Sequence, residues 1–230
     1  MNFRTITILT GAGISAESGL GTFRDEGGLW SRYSLKEVAT PEGFAADPHK
    51  VHGFYNARRA NAAEALPNAA HHAIARLQED PRHDTMVITQ NVDRLHEAAG
   101  SRALHMHGEL ARALCAVCGH RWDAPAEMAP GDACPACATT ATRPDVVWFG
   151  EMPYHLPEID QRLARTDLFV AIGTSGQVHP AAGFVEEAWM HGAHCVEINL
   201  EPSEIAGLFH ETVNGPASEA VPLWVDRLIG

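Results

Sequence analysis

The 230-residue chain has no apolar run approaching the roughly 18 residues of a membrane-spanning helix, so no membrane partner is expected. Its first residues, Met1-Asn2-Phe3-Arg4, lead straight into an apolar stretch and do not resemble a secretory signal, which makes a cytoplasmic location the expectation. Basic residues are scarce: 17 Lys and Arg stand against 29 Asp and Glu, a formal net charge of −12. A general nucleic-acid binder needs a basic face to neutralise phosphates, so that class is set aside. A lysine-rich peptide remains compatible with the charge. Cysteine is rare as well, at five residues, and their grouping matters more than their number. With 45% hydrophobic and 20% charged residues, the chain can bury a sizeable core as one large domain or as a large domain carrying insertions.

What is present begins with Gly11-Ala12-Gly13, placed directly after the apolar run Ile6-Thr7-Ile8-Leu9. A buried strand that ends in glycines, with a helix opening behind it, can bring backbone N–H groups close to a phosphate. Gly11-x-Gly13-x-x-Ala16 satisfies a relaxed dinucleotide pattern. Three further runs have the pattern of buried parallel strands: Thr85-Met86-Val87-Ile88-Thr89, Leu168-Phe169-Val170-Ala171-Ile172 and Cys195-Val196-Glu197-Ile198-Asn199. Each follows a helical stretch, at residues 68–79, 157–165 and 180–191 respectively, and residues 218–229 make a last helix with Pro222 in its first turn. Helix, loop, buried strand, repeated, is the α/β signature. Absent is the second strand with a terminal acidic residue about 20 positions after the glycines, which counts against a hydride-transfer dehydrogenase.

Two stretches break the rhythm. Residues 31–66 are helical in pattern without a strand candidate, and residues 112–144 are rich in Ala, Pro and Cys but poor in large apolar side chains. The expected organisation is a Rossmann-like domain of residues 1–30, 67–111 and 145–230, with a small domain of a helical insertion (31–66) and a zinc-ribbon module (112–144). Within the latter, Cys115-x-x-Cys118 and Cys134-x-x-Cys137 are separated by fifteen residues. Two such knuckles in a reducing compartment indicate one tetrahedral zinc ion, and four protein ligands make it structural, not catalytic. The metal would stand in for a missing core. Cys195, alone in a buried strand, is expected as a core residue.

Polar groups gather where the strands end: Thr89-Gln90-Asn91-Val92-Asp93, Gly173-Thr174-Ser175-Gly176 and Asn199-Leu200-Glu201, besides the first glycines. In open α/β sheets ligands bind at this edge, so four such endings together indicate a large nucleotide ligand. Asn91 and Asp93 could equally cap the helix that follows. His105-x-His107-Gly108 offers a general base, and spacing does not choose between the two histidines, which would share a face on a strand.

In this order, GAGISAESGLGTFRD, TQNVDRLHEAAG, HMHGEL, the paired knuckles, RPDVVWFGEMP, GTSG and INLEP resemble the sirtuins, the NAD-dependent protein-lysine deacylases, over essentially the whole chain. The pattern is most similar to the bacterial enzymes of the class that includes lysine desuccinylases (class III). The resemblance implies NAD as co-substrate, held by Gly11, Ala12, Gly13, Thr22, Phe23, Arg24 and Trp30, by Gln90, Asn91, Val92 and Asp93, by Gly173, Thr174 and Ser175, by Asn199, Leu200 and Glu201, and by Ala217. It matches the catalytic histidine to His107, and matches Asn91 and Asp93 to residues that position the nicotinamide and its ribose. The implied chemistry is attack of the acyl oxygen on the nicotinamide ribose carbon, release of nicotinamide, and collapse of an alkylamidate to 2′-O-acyl-ADP-ribose and lysine. Phe23 would shield the reacting carbon from water. The acyl-lysine peptide would lie as a strand along Val147, Phe149, Gly150 and Glu151, opposite residues 173–178.

Tyr55 and Arg58, three apart and so on one helix face, match the pair by which the desuccinylating class binds an acyl carboxylate. Ala39 matches the small residue that leaves room for a longer acyl chain. Acetyl- and succinyl-lysine are therefore both expected substrates, and a monomer is expected. Gly21 and Arg94 depart from the common family pattern but spare the motif residues. A mono-ADP-ribosyltransferase using the same NAD site is the alternative activity.

Overall fold

The computed structural model describes residues 3–21 and 33–230. In chain order, β1 (Thr5–Thr10) is followed by α1 (Gly13–Ala16), α2 (Leu35–Val38), α3 (Pro41–Ala46), α4 (Pro48–Glu64) and α5 (Ala69–Glu79). Next come β2 (Asp84–Thr89), α6 (Leu95–Ala98), β3 (Ala103–His105), β4 (Gly108–Cys115), β5 (Arg121–Asp123) and β6 (Thr142–Val146). The order ends with α7 (Leu156–Leu163), β7 (Leu168–Ile172), α8 (Phe184–Met190), β8 (His194–Asn199), β9 (Glu211–Asn214) and α9 (Ala217–Ile229). Among the described residues, no helix is long and apolar enough to cross a membrane.

Six strands form one sheet in the order β3-β2-β1-β7-β8-β9, and every neighbouring pair is parallel. The period of two along each strand divides the core. Ile6, Ile8, Val87, Val170 and Ile198 pack against α5 and α9, while Leu9, Ile88, Phe169, Ala171 and Cys195 pack against α7 and α8. Cover on both faces is why these strands are nearly continuous apolar runs. Cys195 is fully buried, and burial pushes its thiol up to about 11. β3 and β9 extend the sheet beyond the four strands legible in sequence; they are only three and four residues long, and β9 is mostly exposed. β5, β4 and β6 make a separate antiparallel sheet. Its strands β4 and β6 run through residues 111/112 and 144/145, where the sequence reading sets its junctions.

Local chemistry sets several helix ends. The Asn68 side chain accepts the Ala70 N–H at 3.0 Å as the cap of α5, and its amide donates to the Ile14 carbonyl at 2.8 Å, tying α5 to the turn after β1. α8 begins four residues beyond Pro180, after a short 3₁₀ turn at Ala181–Gly183, and not at the proline itself. Pro222 lies inside α9, past the first turn where the sequence reading puts it. One cation sits wholly inside the protein. Arg162 donates to the Asp84 carboxylate at 2.6 Å, to the Ile6 carbonyl at 2.8 Å and to Thr7 Oγ1 at 3.1 Å, so its charge is paired and its donors are used.

Beneath the carboxyl edge of the sheet lies a buried histidine pair. Thr10 donates its hydroxyl hydrogen to Thr89 at 2.8 Å, so it must accept from His96 Nε2–H at 3.0 Å, which leaves His96 Nδ1 unprotonated. The His71 ring packs edge-on to His96 with centroids 5.1 Å apart, and its Nδ1 accepts the Asn68 N–H at 3.3 Å. Burial lowers His71 from 6.5 to about 3, helped by the neighbouring His96, and lowers His96 to about 4. Both values are depressed by folding, so their contribution is present above about pH 6.5 and is lost as the unfolded chain alone takes up protons. Thermal or urea unfolding between about pH 6.5 and pH 4 should show stability falling by about 1.4 kcal/mol per pH unit for each histidine. The slope should drop by one such increment in His71→Leu; an unchanged slope would show that His71 is not held neutral.

Candidate functional site

The registers of the parallel sheet bring four strand ends to one edge. Thr10 pairs with Thr89 and with Ile172, and Ile172 pairs with Ile198, so Gly11, Gln90, Gly173 and Asn199 follow in a row. The glycines in this row let two turns approach each other closely. A Cβ at Gly11 would lie 2.7 Å from the Gly173 carbonyl oxygen, one at Gly13 2.7 Å from Gly173 Cα, and one at Gly173 2.4 Å from the Ile14 nitrogen. The turns after β1 and β7 thus interlock backbone to backbone, sealed by the Gly13 N–H donating to the Gly173 carbonyl at 2.8 Å.

Side chains from the four ends then join. The Asn91 amide donates to the Gly11 carbonyl at 3.0 Å and to Ser15 Oγ at 3.1 Å, and the Ser15 hydroxyl donates to Asp93 Oδ2 at 3.0 Å. Gln90 donates to Thr174 Oγ1 at 3.0 Å, and Asn199 to the Thr174 carbonyl at 2.8 Å. Asp93 Oδ1 accepts the Leu95 N–H at 3.1 Å, just before α6; burial raises its carboxyl above the usual range. Val92 is buried beside them, Leu200 and Glu201 are exposed, and Ala217 opens α9. The Ser218 hydroxyl and N–H both donate to the Glu17 carboxylate, which links α9 to the segment after α1. Amide, hydroxyl and carboxylate groups on one edge form a donor and acceptor set that suits a ribose, an amide and a diphosphate. Ala12 and Ser175 lie in the two interlocked turns. Thr22, Phe23, Arg24 and Trp30 lie outside the described residues.

The two histidines of the His-Met-His segment differ sharply. His105 ends β3 and His107 lies in the turn before β4, so they do not share a strand face. His105 faces two acceptors, the Asn91 carbonyl at 3.0 Å from Nδ1 and Glu97 Oε1 at 3.1 Å from Nε2. Burial works against its charge, but Glu97 and the Asn91 carbonyl together raise its pKa, and both nitrogens are committed as donors. His107 Nδ1 lies 3.1 Å from the Gln90 carbonyl and must donate to it. Its Nε2 then carries the lone pair, and burial lowers its pKa. Gly108 makes the following turn possible: its φ is +77°, and a Cβ there would lie 2.1 Å from the Asp145 carbonyl oxygen.

Tyr55 projects from α4 into a cluster with Val38, Ala39, Phe54, Val92 and Trp148, and Arg58, one turn on, lies beside the Phe54 and Tyr55 rings. Tyr55 is fully buried, and Arg58 Cζ lies 5.8 Å from its ring centroid. Sequence reasoning missed the anchors of this helix. Arg59 donates to the Leu110 carbonyl at 2.8 Å and to Asn56 Oδ1 at 2.8 Å, while Asn56 exchanges hydrogen bonds with the Met128 backbone at 2.9 and 3.0 Å. Also missed was the Trp148 indole N–H, which donates to Tyr55 Oη at 2.9 Å. Nearby, the Val147 N–H donates to the His107 carbonyl and the Phe149 N–H to the Ala39 carbonyl, each at 2.9 Å; Phe149 and Gly150 are exposed, and Glu151 accepts the Trp148 N–H at 2.8 Å.

The four knuckle thiols converge, with all Sγ atoms within 4.8 Å of one another. Cys115 and Cys137 are 3.6 Å apart, and Cys118 and Cys134 are 3.7 Å apart. Zinc–sulfur bonds of about 2.3 Å in a tetrahedron require edges of about 3.8 Å, so the set fits one zinc ion. The knuckles repeat one turn: the Gly119 N–H donates to the Cys115 carbonyl and the Ala138 N–H to the Cys134 carbonyl, both at 2.9 Å, with φ of +72° and +60° at those two residues. His120 instead stacks on Trp122, with ring centroids 5.6 Å apart. Elemental analysis should find one zinc per chain. Cys134→Ser should lose the metal and unfold at markedly lower temperature, and full zinc content in that variant would refute the four-thiolate site.

The chain can now be set beside known proteins. The sequence pattern of the Sir2 family matches residues 11–180. An NAD-dependent protein deacylase of Caulobacter vibrioides is 55% identical over 229 residues, spanning 97% of this chain and 96% of that one. One from Escherichia coli (strain K12) is 51% identical over 228 residues, spanning 97% and 82%. Among solved structures, a Sir2 homologue in complex with NAD is similar with a TM-score of 0.91 at 38% identity, over 98% of this chain and 90% of that one. A Sir2 variant with a deacetylated peptide and 3′-O-acetyl ADP-ribose gives 0.79 at 28% identity, over 99% and 93%. With its parallel sheet, its four-thiolate module and a match over nearly its whole length, this chain belongs to the Sir2 family.

Proposed function

We propose that this protein is an NAD-dependent protein-lysine deacylase that removes acetyl and succinyl groups, producing nicotinamide, 2′-O-acyl-ADP-ribose and lysine. The observation that carries the reading is the fixed tautomer of His107, whose Nε2 lone pair stands beside the Gln90–Asp93 loop at the sheet edge. NAD supplies the ribose carbon to which the acyl oxygen transfers. His107 takes a ribose hydroxyl proton at Nε2 as general base. Asn91 has both amide hydrogens engaged, so its Oδ1 is left to accept from the nicotinamide end, and Asp93 faces the same region. The remaining cofactor contacts are those of the four strand ends and Ala217. Zinc, held by Cys115, Cys118, Cys134 and Cys137, keeps the module folded and takes no part in the reaction.

Residues 1–30, 67–111 and 145–230 form the NAD-binding domain in this reading, and residues 31–66 with 112–144 form the small domain. The bonds of Asn56 and Arg59 to Met128 and Ala126 support pairing the helical insertion with the zinc module. An acyl-lysine peptide lies along Val147, Phe149, Gly150 and Glu151. Because the N–H groups of Val147 and Phe149 are already used, it must pair through carbonyls and the Gly150 N–H. Ala39 leaves room for the acyl chain, and Tyr55 and Arg58 bind its carboxylate. A cytoplasmic monomer without a nucleic-acid partner accords with the charge of −12.

Nicotinamide release should require acetyl- or succinyl-lysine peptide and should be negligible with unmodified peptide. Equal rates with all three peptides, or transfer of labelled ADP-ribose to protein as the main outcome, would favour a mono-ADP-ribosyltransferase. His107→Tyr should lower kcat by about 10²- to 10⁴-fold. For the wild type, kcat/KM should fall as acid protonates His107. Because burial lowers its pKa, the midpoint should lie below 6.5 and the rate should be level from about pH 7 to 8. Arg58→Met should reduce kcat/KM for succinyl peptide by roughly 10- to 100-fold relative to acetyl peptide. An unchanged ratio would refute the carboxylate clamp.

A further inference from the structure

Tyr55 is the less obvious half of the acyl clamp, because a phenol can face a carboxylate with either a lone pair or a hydrogen. The structure resolves which. The Trp148 indole nitrogen can only donate, and it lies 2.9 Å from Tyr55 Oη. The phenol oxygen is therefore the acceptor in that bond, and its own hydrogen must point elsewhere. Burial keeps the phenol protonated, above its ordinary range. No acceptor for that hydrogen exists among the described residues, although Tyr55 is only 1% exposed. A buried donor left without an acceptor implies one that arrives with a ligand.

Trp148 is itself held from the opposite side. Arg143 Cζ lies 3.4 Å from its ring centroid, and Glu151 grips Arg143 through two bonds of 2.6 and 2.8 Å while accepting the Trp148 backbone N–H at 2.8 Å. Phe44 closes the rest, with ring centroids 5.1 Å apart. The indole has little freedom to turn, so its N–H stays aimed at Tyr55.

We propose that Trp148 is a specificity-determining positioning residue: its indole N–H orients the Tyr55 hydroxyl so that the hydrogen faces the carboxylate of a dicarboxylic acyl-lysine. This rests on the reading of Tyr55 and Arg58 as the carboxylate clamp. Trp148 does not touch the acyl carboxylate. It sets the polarity of the group that does, and without it the phenol can present its lone pair and repel the anion.

The test compares kcat/KM for acetyl-, butyryl- and succinyl-lysine peptides in wild type, Trp148→Phe, Tyr55→Phe, the double variant and Arg58→Met. Butyryl has the chain length of succinyl without its carboxylate, so the succinyl-to-butyryl ratio reads carboxylate recognition and the butyryl-to-acetyl ratio reads pocket shape. Phe keeps an aromatic ring but removes the N–H. Trp148→Phe should lower the succinyl-to-butyryl ratio about 3- to 10-fold, mainly through KM, and leave butyryl-to-acetyl unchanged. In the Tyr55→Phe background, the same change should have no further effect on the ratio. Equal loss of butyryl and succinyl activity would make Trp148 a wall of the pocket and overturn the proposal, as would a full effect without Tyr55. If Arg58→Met lowers the ratio while Trp148→Phe does not, only this inference fails. If neither does, the clamp itself is wrong.

Discussion

The interlocked turns after β1 and β7 are the constraint on which the site depends. Each is a place where the chain must leave the sheet, and each exit occupies space the other would need if either carried a Cβ. Gly11 N–H donates to the Ile172 carbonyl at 3.0 Å, and Gly173 N–H to the Ile198 carbonyl at 3.0 Å, so three strands are tied across their ends as well as along their lengths. The Gly11 carbonyl then holds the Asn91 amide, and the Thr174 carbonyl holds Asn199. The Asn91 and Asn199 amides are thus referred to one backbone joint, whose geometry depends on glycine and not on side-chain packing. Because such a joint has no rotamers, the groups fixed to it keep their relative positions at little entropic cost.

A second constraint comes from outside the large sheet. The segment around the knuckles has few large buried side chains, and metal ligation supplies the order that burial cannot. That order reaches α4 by a short physical route. β4 runs into the first knuckle and its Leu110 carbonyl accepts from Arg59, while the Met128 backbone engages Asn56; both partners lie on the helix that carries Tyr55 and Arg58. Arg59 is buried, and its donors end on fixed carbonyls, Asn56 and the Met128 sulfur. The position of Tyr55 and Arg58 is therefore coupled to the zinc module through the side chains of Asn56 and Arg59.

Much of this was legible in sequence because it rests on burial and spacing. The runs at Ile6, Val87, Leu168 and Cys195 are apolar since both sheet faces are covered, and the knuckle spacing is dictated by ion geometry. What stayed hidden depends on long-range partners. β4, Gly-Glu-Leu-Ala-Arg-Ala-Leu-Cys, is half-exposed and alanine-rich, so its strand character comes from pairing with β5 and β6 and not from its own pattern. The glycines announced a tight turn, but not that another turn 160 residues along the chain packs against them. Trp148 read only as part of a motif, because its partner Tyr55 is 93 residues away.

The two histidines illustrate how one environment can produce opposite chemistry. Both are largely buried, both place Nδ1 against a carbonyl of the same loop, and burial opposes charge in each. The difference is Glu97, which gives His105 a second acceptor and stabilises its imidazolium. Among the described residues no such carboxylate faces His107, so burial favours its neutral form and its Nε2 keeps a lone pair. In its charged form His105 grips the Asn91 carbonyl more firmly than a neutral ring would, which steadies the loop. Splitting the labour this way requires the two rings to stand on different elements, one at the end of β3 and the other in the turn beyond it. On a single strand face, as sequence spacing allowed, the carboxylate that stabilises charge on one ring would lie nearer the other and favour its charged form too.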